Sequence, residues 1–449
     1  MCLETGRSAS AGCRDDESIP DIRREQELDV VIIGAGLGGS AAAVALGRAG
    51  YRVGLIDRYA HYPPEFRVEK LAGDQLDWLH RLGLMDSIAA ASTRFEEILN
   101  IRRGKVIDVT RNSHYGILYQ DLVNAVRDQL DAPARLVLGK AIRVQTSPDR
   151  QRVELSDGSE VIARLVIAAT GMAPGISHSV GVTRKVLSPK HSITFGFDLS
   201  LGAGAALELP ACTYYGETAS DRIDYLNIFP VGSRMRANLF TFRDARDPWL
   251  RQLREAPETT LTGALPGLRP FLGDFRVHGR VQSWSMDLYA LEGYLRPGLV
   301  FVGDAFQTSC PAAGTGVSRL LAEVHQLCMV HVPSWLATPG MEVAKISAFY
   351  ADPVKRRSDR RASRLSSYRR SLTLDTSWAW EMHRGHTFLR RRLVGWVRRL
   401  KHSHSNHAIA FPGRSMPADD AGAASPASTA PTIEALRAGQ EASGVCGGM

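Results

Sequence analysis

The chain is predicted to be α/β, with a parallel βαβ unit at the N-terminus, an interleaved antiparallel sheet and helices at the C-terminus. Three observations lead there. An apolar run feeds a glycine-spaced turn within Asp29–Arg58, a second feeds a Gly/Pro loop within Gly298–Leu327, and the remaining pattern is strand-like between them and helical after them.

The N-terminal element comes first. From Asp29 the chain reads DVVIIGAGLGGSAAAVALGRAGYRVGLIDR. Val30 to Ile33 is a short β-branched run suited to a buried parallel strand. Gly34, Gly36 and Gly39 then supply a tight turn, close backbone approach to a pyrophosphate, and helix-to-strand contact, as a Rossmann-type unit requires. The alanine-rich helix Ser40 to Ala49 offers its first amides to phosphate. A second strand, Arg52 to Ile56, ends at Asp57, 23 residues beyond Gly34, where a carboxylate can accept from a ribose hydroxyl. An acid there suits NAD or the adenosine ribose of FAD, and Arg58 beside it joins the candidate cofactor contacts.

The second element repeats that logic. Leu299 to Val302 delivers Gly303-Asp304, and a loop with Pro311, Gly314 and Gly316 opens a helix near Val317. A strand-end carboxylate can bind ribityl hydroxyls, while a glycine-lined helix N-terminus can stabilise negative charge on an isoalloxazine.

Here the sequence resembles the class A flavoprotein monooxygenases, the para-hydroxybenzoate-hydroxylase-like group. Their second signature is similar to GDAxHxxxPxxGxGxN, and this chain has GDAFQTSCPAAGTGVS, matching at Asp304, Pro311, Gly314 and Gly316. Gln307 and Ser318 stand where the family has histidine and asparagine. The segment RVEKLAGDQLDWLHRLGL resembles the family's arginine-bearing segment, which makes Arg67 a candidate for the FAD pyrophosphate or ribityl region. In the middle, ATG at Thr170-Gly171 replaces the family's Asp-Gly and is closer to flavin-dependent halogenases and geranylgeranyl-reductase-like flavoproteins. The resemblance implies FAD as cofactor, and NAD(P)H as a transient reductant without a dinucleotide domain of its own.

Ser192 to Phe242 reads as several strands with turns between them, a layer over the flavin. Tyr214, Tyr215, Phe229 and Asn238, with Asn227 and Met235, either line a substrate chamber there or fill a core. The LGAGA stretch at Leu201 to Ala205 has no apolar strand before it, so it is not a second dinucleotide turn.

From Ile346 the pattern is helical, with Leu389, Leu393, Trp396, Val397 and Leu400 on one stripe. Between Asp352 and Lys401, 15 Lys/Arg face four acids, so this segment carries +11 of a chain whose net charge is +8. It is either a solvated helical cap or a contact for an anionic membrane surface or acidic carrier protein. Nucleic acid is not an expected partner.

With 449 residues and 44% apolar content, the chain can bury a large core without disulfides or metals. The six cysteines show no CxxC and no ligand-like spacing to histidine, which suits a reducing, cytoplasmic setting and no metal site. No apolar run reaches the ~18 residues of a membrane span.

The expected domains are a loose polar leader (1–28), a cofactor domain in two parts (29–175 and 286–345), a mainly β substrate domain (176–285), a basic helical region (346–408) and a disordered tail (409–449). The expected activity is a monooxygenase in which NAD(P)H reduces FAD and O2 supplies the oxygen that hydroxylates or epoxidises an apolar or aromatic small molecule. A reductase or dehydrogenase of the geranylgeranyl-reductase-like type and a halogenase-like flavoprotein are the alternatives, although the halogenase WxWxIP segment is missing.

Overall fold

The computed structural model describes residues 27–201 and 210–402, with side chains described as far as Trp396. The leader before residue 27, most of the LGAGA stretch, the tail from 409, and the side chains of Val397 and Leu400 lie outside the described residues.

The strands in chain order are β1 (Leu28–Ile33), β2 (Val53–Asp57), β3 (Lys70–Ala72), β4 (Thr93–Arg102), β5 (Lys105–Gly116), β6 (Ala134–Leu138), β7 (Ala141–Gln145), β8 (Gln151–Leu155), β9 (Glu160–Ala168), β10 (Thr183–Leu201), β11 (Cys212–Tyr215), β12 (Ile223–Val231), β13 (Arg234–Thr241), β14 (Phe275–Glu292) and β15 (Leu299–Phe301). They form two sheets.

In the first, β6, β2, β1 and β9 run parallel, β15 adds to β9 in parallel, and β8 and β7 continue antiparallel. Val30, Val31 and Ile32 are completely buried, because helices or sheet cover both faces of β1 and a β-branched run satisfies both. The helix Leu37–Arg48 leaves β1 directly, and its small side chains let it sit close to the sheet.

The second sheet has the order β14-β10-β13-β12-β11-β4-β5-β3. Its pairs are antiparallel except β11 with β4. That pairing corrects the sequence reading of domains, which placed everything from 29 to 175 with the cofactor. Residues 70–72 and 93–116 belong instead to this second sheet, the roof of the cavity described below, and β14 extends it to Glu292. The chain thus leaves the first sheet after β2, returns for β6 to β9, leaves again for β10 to β14 and returns at β15.

Two long helices close the described chain, Pro353–Leu374 and Trp378–His402. The former starts cleanly because Asp352 accepts from the Val354 and Lys355 amides, with Pro353 at the first helical position.

Candidate functional site

A cavity of about 1170 Å3 is lined from both sheets and collects most of the residues singled out by sequence: Gly34, Gly36, Asp57, Arg58, Arg67, Asp304, Pro311, Gly314, Gly316 and Val317.

At the β1 end, Gly34 has φ +96°, and a Cβ there would lie 2.7 Å from the Ala169 carbonyl oxygen, so only glycine serves. Gly39 does not line the cavity. A side chain on it would collide with the Gly34 carbonyl, so its role is helix-to-strand contact. Gly36 is different, since the nearest atom to a Cβ there is the Tyr119 hydroxyl at 3.8 Å. Its backbone therefore faces open cavity, at the start of a helix that has no side-chain cap, the end of a helix that offers amides to an anion.

Asp57 lines the cavity while its Oδ2 accepts from the Ala35 amide at 2.7 Å and its Oδ1 from the Tyr59 amide at 3.0 Å. Sequence gave no hint of Arg127. Its buried guanidinium donates to the Ala35 carbonyl at 2.8 and 2.6 Å and to the carbonyls of Tyr59 and Ala60 at 2.8 and 3.1 Å. The phosphate-type turn and the loop after β2 are locked together by this one side chain.

At the β15 end, the Asp304 carboxylate opens on the cavity, with 31% of its side chain accessible. Burial pushes its pKa above the ordinary carboxylate value, while Arg319 and Arg67 pull it back. Arg319, fully buried, lies 3.5 Å from Asp304 and donates to Glu323 at 2.9 Å. Glu323 in turn accepts from the Gly303 amide at 2.6 Å and from Lys355 at 2.9 Å. Burial disfavours the Glu323 carboxylate, yet Lys355, Arg319 and the Gly303 amide hold its pKa below the usual range. Ser318, at the family's asparagine position, donates to Asp74 at 2.7 Å and joins two helices.

Between these ends the Arg67 guanidinium lies 3.3 Å above the Trp284 ring and pairs with Glu65 at 2.8 Å.

The roof sheet supplies the other wall. Register sets Trp284, Thr194, Phe240 and Tyr225 in one cross-strand row and Asn238 beside Asn227 in the next, and all six face the cavity. The hydroxyl of Thr194 and the indole N–H of Trp284 are buried without a partner among the described residues. Glu69 and Lys70 also reach this chamber, and sequence reasoning passed over both. Glu69 is consumed by Arg236 and by Asn238, which donates to it at 2.7 Å. Lys70 has no carboxylate partner among the described residues, and burial lowers its pKa to about 8.

Three of the four substrate candidates fall elsewhere. Tyr214 points to the opposite face of the roof, where its hydroxyl donates to Glu217 at 2.5 Å and its ring joins the Leu226 and Ile228 core. Tyr215 is covered by Phe388 at a ring separation of 5.5 Å. Phe229 shares a face with Tyr225 but lies beyond the chamber, stacked on Phe95. Asn238 alone of the four lines the cavity.

Residues 27–330 match the family model described as FAD binding domain. The 3-amino-4-hydroxybenzoate 2-monooxygenase of Streptomyces cremeus is 24% identical over 327 residues, covering 68% of this chain and 78% of that protein. Aklavinone 12-hydroxylase DnrF of Streptomyces peucetius is 27% identical over 348 residues, covering 66% of each chain, just under two thirds of that relative's length. The crystal structure of p-nitrophenol 4-monooxygenase PnpA from Pseudomonas putida DLL-E4 aligns with TM-score 0.66 at 14% identity, over 82% of this chain and 94% of that one. At that identity the likeness shows a shared fold. Taken with two distant glycine-bearing loops that meet at one cavity, the family match has a plain meaning: the chain belongs to the FAD binding domain family, as an FAD-dependent oxidoreductase of the class A flavoprotein monooxygenase type.

Proposed function

We propose that this chain uses NAD(P)H and O2 to hydroxylate or epoxidise an aromatic or otherwise apolar small molecule carrying an acidic oxygen. One observation carries the reading. The cavity runs from Gly36 and Asp57, past Asp304 and Gly316, into a chamber that combines aromatic walls with Lys70, which has no carboxylate partner among the described residues.

The donors present fit an FAD. Gly36 and the helix start after it would receive a pyrophosphate, Asp57 would accept from the adenosine ribose, and Asp304 would accept from ribityl hydroxyls. When bound, the flavin supplies electron acceptance from NAD(P)H and activation of O2.

The protein's contribution is placement and charge. The helix Gly316–His325 begins at the cavity without a side-chain cap, so its first amides can stabilise negative charge on the flavin edge. Tyr225, Phe240, Trp284 and Met286 present apolar surface to a ring and exclude water from it. Lys70 offers an ammonium to an anionic oxygen on that ring, and unpartnered Thr194 and Trp284 offer a hydroxyl and an N–H. The names of the two sequence relatives, an aminohydroxybenzoate monooxygenase and an aklavinone hydroxylase, support an aromatic substrate.

The decisive experiment supplies FAD-loaded protein with NAD(P)H, isotopically labelled O2 and a panel of aromatic acids and phenols. Substrate-stimulated NAD(P)H oxidation with labelled oxygen in the product is expected. NAD(P)H oxidation that consumes no O2 points instead to a reductase, and O2 consumption that yields a halogenated product when chloride or bromide is added points to a halogenase.

A further inference from the structure

The helix Trp378–His402 packs against the body through the face opposite its apolar stripe. Phe388 meets Tyr215 and stacks 4.1 Å from the Arg102 guanidinium, and Arg391 forms a two-bond pair with Asp108 at 2.8 and 3.0 Å. At Gly395 a Cβ would stand 2.6 Å from the Ile107 carbonyl oxygen. Arg384 donates to the carbonyls of Leu372 and Asp375 at 3.1 and 2.6 Å. Residues 384, 388, 391 and 395 are spaced as one helical face, and that face is turned inward.

The apolar stripe is thereby turned out. Trp378, Met382, Leu389, Leu393 and Trp396 are 78%, 67%, 57%, 54% and 59% exposed. At 3.6 residues per turn these five fall in one narrow stripe, with Arg390 and Arg392 flanking it on opposite sides. Both arginines are exposed and make no ion pair among the described residues. From Trp378 to Lys401 the helix has seven Lys/Arg and one acid, Glu381.

We infer that this helix is a docking face for an anionic lipid surface, lying in the plane of the interface. An apolar stripe bearing two tryptophans, edged by arginines long enough to reach lipid phosphates, matches that environment. A second copy of the chain is a poor occupant, because face-to-face contact would bring like-charged flanks together. Among the described residues no helix is long and apolar enough to cross a membrane, so the attachment is peripheral. The inference rests on this surface alone and is independent of the substrate reading.

The test is sedimentation of full-length, FAD-loaded protein with vesicles of phosphatidylcholine alone or mixed with phosphatidylglycerol. Binding only to the mixed vesicles, weakened by salt, is expected. Arg390→Glu/Arg392→Glu should lower it by about tenfold or more, on the usual scale of about 1 kcal/mol per basic residue near an anionic membrane, and Leu389→Glu/Leu393→Glu should lower it by removing the apolar contact and adding charge to it. Flavin absorbance should stay unchanged in both variants, which separates lost docking from lost folding. Absence of binding at low salt, or undiminished binding by the leucine variant, overturns the inference. So does a dimer in solution that Leu393→Glu disperses without any vesicle binding.

Discussion

Arg236 holds Glu69 in a two-bond pair, Nε to Oε2 at 2.7 Å and Nη2 to Oε1 at 2.9 Å, with side-chain exposures of only 7% and 2%. The pair ties the segment that carries Arg67 and Lys70 to strand β13 of the roof. Arg236 also donates to Asp198 at 3.0 Å and to Gln282 at 2.6 Å. Arg236→Ala leaves a buried carboxylate without its counter-charge and should cost about 3–5 kcal/mol in urea denaturation. Adding Glu69→Gln should return part of that loss. A single variant as stable as the parent would show that the pair contributes nothing.

Two glycines three positions apart in the first motif carry opposite predictions. Gly36 has open space where a side chain would stand, whereas Gly39 has the Gly34 carbonyl. Gly36→Val should therefore give folded, colourless protein, and Gly39→Val should lower expression and stability. Circular dichroism with flavin absorbance checks both, and normal yellow Gly36→Val protein refutes the phosphate site.

Asp304→Ala should weaken FAD by about 1–3 kcal/mol, the scale of hydrogen bonds to a charged group. The nearby Arg319 retains Glu323 as a partner at 2.9 Å, so the fold should survive. Flavin fluorescence titration reads the change, and unchanged affinity removes the assignment.

Lys70 makes the chamber sensitive to pH. Its pKa is driven from the ordinary 10.5 to about 8 by burial, so the ammonium is present below about 8 and lost above it. Benzoate, as an anionic probe, should bind better than neutral benzamide below that pH, and the preference should fade above it. Lys70→Met should abolish the preference at every pH. Burial also drives neighbouring His114 down to about 4 and Cys212 up to about 12, which leaves Lys70 as the group among these three that titrates near 8. Folding stability has the opposite trend. The unfolded chain holds the Lys70 proton more tightly, so without ligand this residue's contribution should favour folding as pH rises from about 8 toward 10.5.

What the sequence disclosed depended on whether the chemistry was local. Gly34, Gly36, Gly39 and Asp57 belong to one βαβ unit, and Asp304 to Gly316 belong to one strand and loop, so contiguous residues announced both. The roof was harder to read. Strand periodicity shows that Tyr214 and Tyr215 face opposite ways but not which side meets the cavity, and here the cavity side of Tyr215 is taken by Phe388. Glu69 and Lys70 have no local signature because their meaning comes from Arg236, 167 residues from Glu69, and from the lack of any such partner for Lys70 among the described residues. The outward stripe on the last helix was visible as periodicity alone. Its direction came from Arg391 and Gly395 packing on β5.

Lys355 gives the buried Glu323 its second cation and also pairs with Asp359 at 2.9 Å. Glu323 steadies the amide of Gly303, the residue just before Asp304. A chain cut where the family match stops, at residue 330, would strip that carboxylate of a counter-ion directly behind the flavin loop. A fragment meant to keep this buried ion network whole therefore has to extend through Asp359, in the first turns of the basic helix.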